Sequence, residues 1–203
     1  MSQVQKISRE VVIDPSETTR RAPCSKEELQ AYLLGALHDA SLNKKKRYRF
    51  TQKGIEWLML LKKLFQELGY KSWIYREGKR EVYTLETLAK FLDFGFDPLI
   101  LNTNAERIAY IRGFFDAEGG VPRNAKADFY IQLVQKDKTK IEKLVSMLDT
   151  LGVSTGKIHN PSERVDPNYW RVYVSWRSHK IFASKIGSWH PLKAKILQTR
   201  VMI

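Results

Sequence analysis

The sequence predicts an α+β fold built from two related units, and three observations carry that prediction. Each half opens with a capped apolar helix that ends in an acidic residue. Each continues with a strand-like run closing on Gln-Lys, followed by an amphipathic helix. The step from Gln52 to Gly69 equals the step from Gln135 to Gly152. Similarity at matched spacing within one chain marks a duplicated architecture. Each half reads helix–strand–strand–helix–strand–strand–helix, or αββαββα.

Taken in order, residues 1–24 are polar and read as an arm or irregular lead-in. The first unit spans 25–101. Ser25 and Glu28 form a capping-box pattern ahead of LQAYLLGALHD, in which the hydroxyl and the carboxylate three residues on satisfy free backbone N–H groups. Only SLNKKK separates that helix from RYRFTQK (47–53), so the first strand must be very short. Trp57, Leu58, Leu61, Leu64, Phe65 and Leu68 follow helical spacing and are core candidates. A hairpin turning at EGKR and a short helix, LETLAKFLDF, close the unit. The boundary falls near 96–103, at FDPLILNT. The second unit, 102–203, repeats the order: Thr103 and Glu106 as a capping box, RIAYIRGFFDAEGG, DFYIQLVQK, TKIEKLVSMLDTLG, a longer hairpin, and SHKIFASKIGS as its closing helix. DPLIL and HPLKAKIL follow as related phrases.

Composition bounds what such a chain can do. With 43% hydrophobic and 28% charged residues it has the make-up of a globular protein. A net charge of +13 makes polyanions the natural partner, nucleic acid first among them. Cys24 is the only cysteine, which excludes an intrachain disulfide and points to a reducing compartment. No run approaches the roughly 18–20 apolar residues of a membrane span, and the polar N-terminus has no secretory core. An intracellular protein is expected, without a membrane partner.

The opening helices share a second feature. Ala109, Gly113 and Ala117 recur every four residues in one, and Ala31 and Gly35 in the other. Small residues on one face let two helices approach until their backbones nearly touch. If the two pack on each other, their acidic ends lie side by side. If each packs on its own sheet, the acids merely end the helices. A carboxylate at a helix C-terminus meets the negative end of the macrodipole, and two together repel. Divalent metal relieves both, and hard carboxylate oxygens suit Mg²⁺.

IRGFFDAEG (111–119) resembles the signature of the LAGLIDADG homing endonucleases, and LLGALHDAS (33–41) resembles a diverged first copy. Two copies in one chain are similar to the monomeric, pseudo-symmetric members. The resemblance implies antiparallel four-stranded sheets forming a saddle over double-stranded DNA. It also implies that the eighth motif position supplies a metal-binding acid, for Mg²⁺ or Mn²⁺, with no organic cofactor. In the second copy that acid is Glu118. In the first copy the eighth position is Ala40 and the acid, Asp39, comes one residue early. Either Asp39 reaches the metal through an irregular helix end, or that half-site is defective and the chain nicks or only binds. We assign Asp39, because His-Asp-Ala-Ser keeps an acid followed by two small residues.

The resemblance further implies that Gln52, Gln135, Lys53 and Lys136 surround the metals, that Lys195 is a further active-site lysine, and that Asp116 braces the partner helix. Base and phosphate contacts are expected from Arg47, Arg49, Arg76, Lys79, Arg80, Gln132, Arg171 and Tyr173 on the sheets and hairpins. Lys44, Lys45 and Lys46 are expected to clamp phosphate from a loop. His38 reads as a satisfied buried histidine, and the spacing of His159 and His190 does not suggest zinc. The implied activity is site-specific double-strand DNA cleavage in intron homing. A maturase acting on intron RNA, a nickase or a degenerate binding protein are the alternatives on the same scaffold.

Overall fold

Helix α1 (Lys26–Ala36) buries Leu29 and every residue from Ala31 to Ala36, and α3 (Asn104–Glu118) buries Ala109–Ile111 and Gly113–Asp116. A helix apolar on nearly every face must be enclosed, and these two enclose each other. A Cβ built on Gly35 would stand 2.0 Å from the Tyr110 carbonyl oxygen, and one on Gly113 would stand 2.0 Å from that of Tyr32. The two glycines are therefore reciprocal: each receives the backbone of the other helix.

The computed structural model describes residues 24–78 and 81–201, so the lead-in expected over 1–24 lies outside the described residues except for Cys24, as do Lys79 and Arg80. The Ser25 hydroxyl accepts from Glu28 N (3.2 Å) and Glu28 accepts in return from Ser25 N (3.4 Å). In the second copy the Thr103 hydroxyl accepts from Glu106 N (3.1 Å), but the Glu106 carboxylate reaches back to Asn102 N (3.2 Å) and to the Thr103 hydroxyl (3.0 Å).

Each motif helix runs directly into a strand. From α1, a 3₁₀ turn (Leu37–Asp39) leads into β1 (Ala40–Asn43), and from α3 the chain enters β5 (Gly119–Gly120). The first sheet adds β2 (Arg47–Gln52), β3 (Ser72–Arg76) and β4 (Tyr83–Thr87), in the antiparallel order β1-β2-β4-β3. The second is β5-β6-β7, with β6 at Gln132–Gln135 and β7 at Trp170–Tyr173. It has three strands rather than four; isolated bridges Thr155–Val174 and His159–Arg171 lie along β7 in the remaining place. Helices α2 (Glu56–Glu67) and α4 (Lys138–Thr150) cover the inner faces, and the α2 residues expected in the core are buried, with Leu68 only partly so. Both helices are followed by a glycine at positive φ, Gly69 (80°) and Gly152 (76°), which explains the matched spacing.

The closing helices differ from expectation. LETLAKFLDF is not helical: β4 pairs through Thr87, whose hydroxyl then accepts from Ala89 N (3.2 Å), and turns follow. In the second half a 3₁₀ turn (Trp176–Ser178), α5 (His179–Ile181) and a π-turn (Phe182–Ile186) form one irregular coil. A further helix, α6 (Pro191–Val201), occupies HPLKAKIL. Among the described residues no helix is long and apolar enough to cross a membrane.

Candidate functional site: two acids at a shared helix end

The two acids do not occupy equivalent motif positions, yet the chain brings them together. Glu118 lies five residues beyond Gly113, whereas Asp39 lies four beyond Gly35. An α-helical residue advances about 1.5 Å and 100°, and a 3₁₀ residue about 2.0 Å and 120°. The three 3₁₀ residues Leu37–Asp39 therefore gain about 1.5 Å and 60°. That recovers the axial rise of the missing residue and more than half of its rotation. The irregular helix end anticipated for Asp39 is this tightened turn.

Electrostatics reports the same convergence. Burial pushes the Asp39 carboxyl up to about 6, against a hydrogen bond from the Gln52 amide and the charge of Lys193. Burial, then the neighbouring Asp39 charge, pushes Glu118 up to about 7, against Lys193 and Lys136. The Asp39 charge thus reaches the Glu118 carboxyl, and both groups are partly buried. The donors are hard oxygens, and among the described residues no group of three or more His, Cys, Asp or Glu forms a closed cage. Such an open oxygen site fits Mg²⁺, which binds through one or two carboxylates and completes its shell with water and substrate phosphate.

The sequence placed an active-site lysine at Lys195, whereas the lysine beside the two acids is Lys193. Its ammonium donates to the carbonyls of Phe115 (2.7 Å) and Asp116 (2.8 Å), neutralising the negative end of α3. Burial lowers it to about 8, with Asp116, Asp39 and Glu118 opposing the fall. Lys195 is exposed on α6, because two residues along a helix turn a side chain through about 200°. A cavity of about 210 Å³ opens beside Lys193, lined also by Gln52, Gly119, Arg123 and His190. The His190 ring, its pKa lowered to about 4 by burial and then by Lys193, keeps a buried Nδ1 without a hydrogen-bond partner.

Around the helix pair the duplication is broken in an orderly way. Tyr32 and Tyr110 each stand three residues before the motif glycine, and Asp116 and His38 each stand three after. The Tyr32 hydroxyl donates to Asp116 (2.7 Å), and Tyr110 pairs with His38 (2.8 Å), so each tyrosine crosses to the other helix. Asp116 also accepts from Ser188 and from the N–H groups of Trp189 (2.9 Å) and His190 (3.1 Å), tying α3 to the start of α6. Burial raises its pKa and those bonds oppose the rise. His38 is lowered to about 3 by burial, then by Lys140, and stays neutral. Its Nδ1 meets the Gln135 amide nitrogen at 3.0 Å, while Gln135 Oε1 accepts from Lys136 N at 2.7 Å. The two glutamines thus differ: Gln52 holds an acid, whereas Gln135 is held by His38. Lys53 and Lys136 are exposed beside them.

The other residues expected at DNA are distributed as follows. Arg47 and Arg49 lie on the outer face of β2, opposite buried Phe50. Arg76 ends β3 and is exposed. Lys44 and Lys45 adopt positive φ (49° and 56°) in the β1–β2 turn, and they and Lys46 are exposed at its tip. Gln132 pairs in register with Tyr173 across β6 and β7, and Arg171 lies between the hydroxyls of Tyr169 (3.0 Å) and Tyr173 (2.9 Å). Glu86, missed in the sequence, is buried beneath Arg47 and Arg49.

Comparison with known proteins finds relatives in sequence and in fold. The model of a LAGLIDADG-like domain matches residues 105–187. Homing endonuclease I-ApeI of Aeropyrum pernix is 27% identical over 82% of this chain and 84% of its own. The structure of I-DmoI in complex with DNA and Ca superposes with a TM-score of 0.63 at 25% identity, over 86% of this chain and 99% of that one. The N-terminal LAGLIDADG domain of DUF199/WhiA superposes with a TM-score of 0.65 at 18% identity, over 82% and 87%, a likeness of fold alone. Residues 105–187 thus match a LAGLIDADG-like domain, and most of the chain resembles I-DmoI, a single-chain, two-motif LAGLIDADG protein, in fold.

Proposed function

We propose that the chain is a site-specific double-strand DNA endonuclease of the homing type, acting as a monomer with Mg²⁺ or Mn²⁺. The observation that carries this reading is the meeting of Asp39 and Glu118, each delivered by one of two helices packed backbone to backbone. Asp39 and Glu118 would hold the metal. When bound, a divalent cation activates water and stabilises charge on phosphate oxygens. The chain's own residues do the rest. Gln52 fixes the orientation of the Asp39 carboxylate. Lys193 holds positive charge at the end of α3, beside a cavity in which a phosphate would be met also by Arg123. Lys44, Lys45 and Lys46 hold the phosphate backbone, and Arg47, Arg49, Gln132 and Arg171 face the bases. A second reading, a DNA-binding protein, nickase or intron-RNA maturase without double-strand cleavage, is favoured by one observation: Ala40 stands where the second motif has Glu118.

Incubation of the protein with a plasmid library and Mg²⁺ separates the two. Linear product that disappears in Glu118→Gln is expected. Tight, salt-sensitive binding that yields only nicked or intact circles supports the second reading.

A further inference from the structure

The outer face of the first sheet carries a buried carboxylate that the proposed chemistry does not use. Glu86 on β4 shares that face with Arg47 and Arg49 and is only 2% exposed. Its burial is made by side chains from the other three strands. Asn43 of β1 donates to it (3.1 Å), as do Arg47 of β2 (2.9 Å) and Tyr75 of β3 (3.2 Å). Arg49, its direct cross-strand neighbour, brings Nε within 3.4 Å. The far end of Arg49 is held in turn by Glu77 (2.9 Å). Burial alone would raise the Glu86 pKa, but the bonds from Arg47, Asn43 and Tyr75 outweigh it and leave the carboxyl below its ordinary range.

A carboxylate so placed constrains its arginines in two ways. An arginine side chain loses rotamer freedom when it is fixed, and its five N–H donors form a planar fork. Glu86 hydrogen-bonds part of the Arg47 fork and ion-pairs with the Arg49 Nε without a hydrogen bond, while the two side chains stay 40% and 24% exposed. The orientation is thus set before any ligand arrives, and donors remain available on the open side. Glu86 and Glu77 also neutralise the pair, which weakens attraction to phosphate and leaves directional hydrogen bonding as the main source of affinity. Among the described residues, the hydrogen-bond partners of the Arg171 side chain in the second sheet are tyrosine hydroxyls, which leave its net charge in place.

Building on the DNA-binding reading above, we propose that Glu86 is a specificity-determining positioning residue. It holds Arg47 and Arg49 as pre-oriented forks for guanine in one half of the target and suppresses their use as phosphate contacts.

The test uses the full chain and a partially randomised duplex pool in Ca²⁺. Wild type should select guanine at defined positions in one half-site. Glu86→Gln keeps the shape and removes the charge. It should lower discrimination at those positions roughly ten- to hundredfold, leave the other half-site unchanged, and steepen the salt dependence by about 1 in log–log slope as a freed arginine turns to phosphate. Arg47→Lys should lose discrimination without the steeper slope. Asn43→Ala, which removes one donor to Glu86 and no proposed base reader, should act in the same direction as Glu86→Gln but more weakly, so a folding defect in one variant cannot hide the answer. A selective wild type whose Glu86→Gln and Asn43→Ala variants keep the same base preferences and salt slope overturns this inference and leaves the DNA-binding reading intact. A wild type that binds duplex with no preference, or not at all, overturns both.

Discussion

The first motif helix and the second are built on one backbone plan and diverge at their last turns. Both place a tyrosine three residues before the glycine and a polar group three after it, and both lead directly into a strand. The second ends as regular α-helix at Glu118, with Asp116 beneath it tied to α6. The first tightens into a 3₁₀ turn at Asp39, with His38 in the place of Asp116. The glycine contact is the invariant, because any Cβ there would meet backbone. The acids need only converge, and two different backbone paths achieve it. Side chains one layer out are freer still, which is why Gln52 serves an acid and Gln135 a histidine.

The largest effect should come from the feature the halves share. Gly35→Ala and Gly113→Ala each drive a methyl group into a carbonyl oxygen of the other helix. Each should cost about 3 kcal/mol or more in chemical denaturation. Gly69→Ala and Gly152→Ala, which are strained only in backbone, should cost about 1–2 kcal/mol. Equal costs at all four positions would show that the helix contact is looser than described.

The glutamines sharpen the contrast next. Gln52→Ala removes a group that orients a proposed metal ligand and should lower the cleavage rate about 10- to 100-fold. Gln135→Ala removes a partner of His38 and should lower it less. Equal rate losses in the two variants would mean that Gln135 leaves His38 to join the acids when DNA binds.

The smallest effect is in pH. Asp39 and Glu118 titrate near 6 and 7 in the folded chain, against ordinary values of 3.8 and 4.5. Because the folded values are raised, the contribution of this pair to stability is complete below the ordinary values and is lost as pH rises through about 6 to 7. In metal-free protein the melting temperature of wild type relative to an Asp39→Asn/Glu118→Gln double variant should fall by a few degrees across that range. Divalent cation should reverse the fall. A pH-independent difference would place the acids in solvent.

How much of this could be read from the chain alone follows from the range of the interactions. The caps at Ser25 and Thr103, the packing glycines and the core face of α2 are set by neighbours within one or two turns, and spacing reveals them. LETLAKFLDF has helical composition, but Tyr83–Thr87 is claimed by pairing with β2 and β3, so tertiary contacts override the local preference. Lys193 could not be distinguished from Lys195 without the phase of α6, a helix whose start depends on Asp116 from far earlier in the chain. Glu86 was invisible for a related reason. Its partners come from three other strands, and only the register of the whole sheet brings them over one carboxylate.

Asp39 and Glu118 are proposed to act on a common cation, and the most direct measurement is a crystal structure of the full chain with a cognate duplex and Mn²⁺, located by anomalous scattering. Manganese is expected in contact with carboxylate oxygens of both residues and with phosphate oxygen. Manganese held by Glu118 while Asp39 remains turned to Gln52 and solvent, or no manganese between the helix ends and the duplex, would contradict it.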